Sequence, residues 1–149
     1  MTLPDMDITS TISLAGGGAG VRIPRLGFGV YQSPPAATQA SVLAALRAGY
    51  RHIDTAQYYA NEAQVGAAVR ASGVAREHVF VTTKVLACAG SVAATLARCR
   101  ASVAAIGLGA VDLFLVHSPS CGPAGRRELW LALEQLRADG GARAIGVSN

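Results

Sequence analysis

Four apolar runs in this 149-residue chain end on polar residues of four different kinds, Asp54, Lys84, His117 and Ser148, spaced 30, 33 and 31 residues apart. That near-constant period constrains the fold more than any other feature. The runs are 26–30 (the first, ahead of the periodic four), 51–54, 78–84, 111–117 and 144–147. Between them lie segments with helical spacing: Val42, Leu43 and Leu46 within 36–48, Val65 and Val69 within 61–72, a third segment capped by Ser91 and reaching 106, and a fourth over 125–138. Gly49 and Gly73 stop the first two. Apolar strands alternating with helices make a parallel sheet covered by helices. Ahead of them, 8–24 reads as a hairpin, with Gly16-Gly17-Gly18-Ala19-Gly20 as its turn. No helix follows that glycine cluster, so it is not a phosphate loop.

Two parallel architectures compete. A doubly wound sheet announces its cofactor with G-x-G-x-x-G after the first strand, and Gly27-Phe28-Gly29-Val30-Tyr31-Gln32 fails at the third glycine. A (β/α)8 barrel gathers its chemistry at the C-terminal ends of several strands, where Asp54, Lys84, His117 and Ser148 fall. The expectation is therefore an α/β chain of the (β/α)8 TIM-barrel class. It would be a single partial domain over 1–149, holding about four and a half β/α units and an N-terminal hairpin. Closing eight such units takes about 250 residues.

Composition excludes several functions. The net charge of +4 comes from scattered arginines, with no basic block that would suit nucleic acid. No apolar run approaches the roughly 18 residues of a membrane span. The first ten residues lack the basic start and apolar centre of a secretory leader, so a cytoplasmic location is expected. Cys88, Cys99 and Cys121 show no C-x-x-C spacing, and free thiols are expected rather than a disulfide framework or a metal site.

Lys84 is the only lysine among twelve arginines, which suggests a role that needs a compact ammonium. Taken singly, Asp54 could cap a helix, His117 could sit satisfied in a core, and Tyr58 or Tyr59 could merely pack. Taken together they make a proton donor with an electrostatic tuner. An Asp–Lys pair about 4 Å apart attracts by about 4 kcal/mol at an effective dielectric of 20. An ammonium beside a phenol favours the phenolate and so eases proton donation. A histidine across the site can hydrogen-bond a substrate oxygen, and the set suits carbonyl reduction. No side chain supplies hydride, which implies a nicotinamide.

Gly49-Tyr50-Arg51-His52-Ile53-Asp54-Thr55-Ala56, followed by Glu62 and Val65-Gly66, resembles the first signature of the aldo-keto reductase family. Arg143-Ala144-Ile145-Gly146-Val147-Ser148-Asn149 resembles another of its motifs, and the likeness covers roughly residues 20 to 149. The resemblance implies a tetrad of Asp54, Tyr59, Lys84 and His117, choosing Tyr59 over Tyr58. It also implies NADPH, with Gly29, Val30, Tyr31 and Asp54 flanking the nicotinamide and Ser148 and Asn149 holding its carboxamide. Tyr31 and His117 would meet a small carbonyl substrate.

The family's later strands supply a glutamine for the carboxamide, an aromatic that stacks on the nicotinamide, and groups for the adenosine phosphate. This sequence contains none of them. The 149-residue chain alone is therefore expected to be weakly active or inactive, with an open strand edge suited to self-association. Two other readings are a non-catalytic half-barrel interaction module and a Schiff-base aldolase using Lys84.

Overall fold

The structure, a computed structural model, describes residues 7–14 and 20–149, so most of the predicted glycine turn lies outside the described residues. Strands β1 (Thr11–Ser13) and β2 (Arg22–Pro24) form the expected antiparallel hairpin, with Ile12 opposite Ile23. Then come β3 (Phe28–Gly29), α1 (Pro35–Arg47), β4 (His52–Asp54), α2 (Glu62–Ala71), β5 (Phe80–Val85), α3 (Val92–Ile106), β6 (Val111–Val116), α4 (Gly122–Ala138) and β7 (Ala142–Val147). The five later strands are parallel and lie in sequence order, β3-β4-β5-β6-β7. A doubly wound sheet reverses its order at a switch point. Sequential winding is that of a barrel wall.

Several boundaries differ from the sequence reading. Only Phe28 and Gly29 of the first run pair with β4, and Gly27 before them lies against the His52 ring, where an added Cβ would stand 2.6 Å from Nδ1. Helix α1 takes in Pro35, which needs no N–H in the first turn. Residues 76–78 form a 3-10 turn, so β5 starts at Phe80 and runs one residue past Lys84. Helix α4 begins at Gly122, three residues early, again with a proline in its first turn. Ser91 caps α3 as expected, its hydroxyl accepting from Ala94 N–H.

Alternation along the strands gives the sheet two unlike faces. Ile53, Val81, Val85, Phe114 and Val116 turn toward the helices and join Val42, Val65, Ile106, Leu129 and Leu133 in the main core. The other face is concave and only partly covered. Leu113 and Leu115 on it are half-buried, whereas Phe114 between them is fully buried. At its lower end the hairpin residues Val21 and Ile23 pack on Phe80, Leu113 and Ala144. On the rim there, Asp112 is fully buried and accepts from Val81 N–H, Arg76 and Arg143, each at 2.8 Å.

His52 sits midway up the concave face. Its Nε2 meets Thr82 Oγ1 at 2.9 Å. Burial pushes this imidazole below its ordinary 6.5, against the opposing pull of Asp54. A depressed histidine binds fewer protons folded than unfolded, so stability falls as pH drops through and below 6.5. Glu62, which burial raises above 4.5, acts with the opposite sign: its contribution is fully present below 4.5 and is lost as pH rises. Urea midpoints measured from about pH 8 down to 5.5 should therefore fall, and fall less steeply in His52→Gln. Equal slopes in the two proteins would exclude His52 as the cause.

Candidate active site

The upper ends of β4, β5 and β6 bring three of the expected side chains together. Register places β4 beside β5 and β5 beside β6. Asp54 and Lys84 both project from the concave face. Lys84 Nζ lies 2.6 Å from Asp54 Oδ1, 3.1 Å from the Thr55 carbonyl and 3.2 Å from Tyr59 OH. The lysine side chain is 8% exposed and its aspartate 31%. One ammonium nitrogen thus donates to three oxygens, whereas each nitrogen of a planar guanidinium carries at most two N–H donors. Asp54 does not cap α2; Asn61 occupies that position.

Tyr59 reaches the lysine because a 3-10 turn, Gln57–Tyr59, follows β4 and ends at Ala60 in the left-handed region, φ 54°. Among the described residues three non-glycines have positive φ: Gln32, Ala60 and Asn149. Each directly follows a site candidate or is one, since Tyr31, Tyr59 and Ser148 precede them. Such conformations cost about 1–3 kcal/mol each and collect at functional sites. Tyr58 is 59% exposed with its ring edge-on to His117 at 6.2 Å, and it is the Tyr59 hydroxyl that meets the ammonium.

His117 completes the group one residue beyond β6. Its ring stands edge-on to Tyr59, 5.7 Å between centroids and 83° between planes. Burial, then the Lys84 charge, hold it below its ordinary 6.5, so it is neutral at pH 7. Its Nδ1 is the single buried side-chain polar atom without a partner among the described residues. Leaving such an atom unpaired costs about 1–3 kcal/mol, and a functional site is one reason to bear that cost.

Tyr31 lies across the opening, 57% exposed, tilted on Tyr59 at 5.1 Å and stacked on Tyr58 at 6.4 Å. Ser148 N–H bonds the Val116 carbonyl, and Asn149 Nδ2 donates to the His117 carbonyl at 2.9 Å, so both stand beside the histidine. Gly29 has open space where a side chain would be. Val30 is 1% exposed and packs in the main core, its N–H donates to the Asp54 backbone carbonyl and its carbonyl accepts from Asn61. It therefore supports the site from behind. With the partnerless His117 nitrogen, the open space at Gly29 and the tethered Asn149, the residues present fit the nicotinamide end of a dinucleotide.

Sequence reasoning assigned Asn61 only to a helix start. The structure buries it completely. Its Nδ2 donates to the Val30 and Ser33 carbonyls at 3.0 and 3.1 Å, and its Oδ1 accepts from Thr55 Oγ1 at 2.8 Å. It ties the loop bearing Tyr31 to the loop bearing Tyr59. Nothing local marks it, because two of its partners, Val30 and Ser33, lie about thirty residues back on another loop. Asn61→Ala should cost about 3 kcal/mol in urea unfolding, since several buried groups each lose about 1–3. A loss under about 1 kcal/mol would show that water replaces the amide.

The model of the Aldo/keto reductase family matches residues 25–149. An aldo-keto reductase of Mycobacterium sp. (strain KMS) is 45% identical over 130 residues, which are 87% of this chain and 47% of that protein. The chain spans about half the length of the curated relatives it matches. An aldo/keto reductase from Brucella melitensis superposes with a TM-score of 0.87 at 40% identity, over 95% of this chain and 54% of that one. A Bombyx mori aldo-keto reductase, solved in complex with NADP, gives 0.82 at 32%, over 93% and 50%. These neighbours are (β/α)8 barrels, of which the present sheet and helices match one half. Neither the aldolase nor the non-catalytic reading gains support from these likenesses.

Proposed function

Because this chain belongs to the aldo/keto reductase family, we propose that it carries the acid–base half of an NADPH-dependent reductase of aldehydes and ketones. The observation that carries this reading is the single ammonium shared by Asp54 at 2.6 Å and Tyr59 at 3.2 Å. Tyr59 OH protonates the substrate carbonyl oxygen. The phenolate left behind is held by Lys84, which Asp54 keeps in place. Neutral His117 offers one ring N–H to the same oxygen and orients it. Solvent then returns a proton to Tyr59. A reduced nicotinamide supplies the hydride that no side chain can give. The preference for NADP draws support from the Bombyx mori relative. Gly29, Tyr31, Asp54, Ser148 and Asn149 would flank its nicotinamide end. The aldolase alternative needs the Lys84 amine free to attack a carbonyl carbon, and here Nζ is already engaged by three oxygens.

The test follows NADPH absorbance with a reactive aromatic aldehyde. Two proteins are compared: this chain, and this chain joined to the C-terminal half of the Brucella melitensis barrel. Alcohol formed in step with NADPH consumed, most strongly in the completed barrel, is the expected result. A folded, completed barrel that consumes no NADPH would overturn the reading.

A further inference from the structure

Cys88 and Cys121 lie on different loops, four residues beyond Lys84 and four beyond His117 respectively. The fold brings them together over Gly125 in the first turns of α4. A Cβ built on that buried glycine would meet Cys88 Sγ at 3.0 Å, Cys121 Sγ at 3.1 Å and Cys121 Cβ at 2.8 Å. Both sulfurs therefore border one point, and any side chain at 125 would drive between them. Both residues are half-buried, free thiols packed against the main core, while Cys99 is fully buried on α3. Nothing in the proposed carbonyl chemistry uses this pair.

We propose that Cys88 and Cys121 form a dithiol site that hydrogen peroxide oxidises to an intramolecular disulfide. Cys88, on the loop beyond Lys84, is the first nucleophile and Cys121 the resolving thiol. Burial, and then Cys88 itself, hold the Cys121 thiol above its ordinary range, in keeping with the protonated partner. Cys88 thiolate attacks the peroxide: an S–O bond forms, the O–O bond breaks and the departing hydroxide takes up a proton to become water. Cys121 sulfur then attacks the Cys88 sulfenic acid: the S–S bond forms, the S–O bond breaks and the hydroxyl leaves as water with the Cys121 proton. Two thiols lose two electrons and one peroxide becomes two waters. The bridge would pin the loops after β5 and β6, and with them the spacing of Lys84 and His117. Cys99 stays outside the reaction, its thiol pushed up to about 12 by burial.

The experiment treats the 149-residue chain with hydrogen peroxide at low protein concentration, quenches it, and counts free thiols after unfolding. Three free thiols should fall to one, the intact mass should drop by two hydrogens, and non-reducing peptide mapping should join Cys88 to Cys121. Dithiothreitol should restore all three. Gly125→Ala, which wedges the sulfurs apart, should slow bridging at least tenfold. Cys121→Ser should replace the mass loss by added oxygen on Cys88. Oxygen added separately to Cys88 and Cys121 in the unmodified chain, or a bridge that includes Cys99, would overturn the proposal. The peptide map of the unmodified chain decides the matter even if a variant fails to fold.

Discussion

Tyr59→Phe is expected to lower kcat/KM for aldehyde reduction about 10²–10⁴-fold in the completed barrel, with no loss of fold. The substitution removes one oxygen. The ring keeps its contacts with Tyr31 and His117, and Lys84 keeps Asp54 and the Thr55 carbonyl. What disappears is the phenol hydroxyl that stands 3.2 Å from the ammonium. A thousandfold loss corresponds to about 4 kcal/mol of transition-state stabilisation. Steady-state NADPH oxidation with circular dichroism on the same samples checks both halves of the statement. Activity within tenfold of the unmodified barrel would remove Tyr59 as the acid.

Lys84→Met should cost a similar factor, about 10²–10³, and also some stability. The methionine fills the space of the stem, but Asp54 and the Thr55 carbonyl lose their shared donor. Because Asp54 is 31% exposed, water repairs part of that loss, and about 1–3 kcal/mol is expected in urea unfolding. Lys84→Arg should not rescue activity, since a planar fork cannot point at three oxygens from one place. The stronger check is the double variant. If Lys84 acts through Tyr59, Tyr59→Phe with Lys84→Met should be no slower than the worse single variant. Multiplying penalties would mean that the two residues act separately.

Much of this arrangement was legible in the chain because it repeats. The spacing of Asp54, Lys84, His117 and Ser148 gave the winding, and the failed third glycine argued against a doubly wound sheet. Sequential strand order agrees with both. What escaped reading depends on partners far along the chain. Asp112 interrupts an apolar run, and its meaning lies in Arg76 and Arg143, each more than thirty residues away. Asn61 reaches back to Val30 and Ser33. Which way Val30 faces was not legible either, because a residue at a strand end can face either way and only packing against the helices shows which. Cys88 and Cys121 carry no local spacing signal, and their meeting depends on the absence of a side chain at Gly125.

The lower rim, where Asp112 fastens Val81, Arg76 and Arg143, has consequences for how such a protein can diverge. Strand β5 runs from that clamp to Lys84 at about 3.3 Å per residue, so the two groups share a strand without sharing neighbours. Changes in the loops around Tyr31, Tyr58 and Cys121 leave the clamp untouched. A lineage can thus try new substrate preferences at one end while the other end holds its tolerance for mutation steady. Evolvability of this kind comes from geometry: risk and support sit at opposite ends of the same strands.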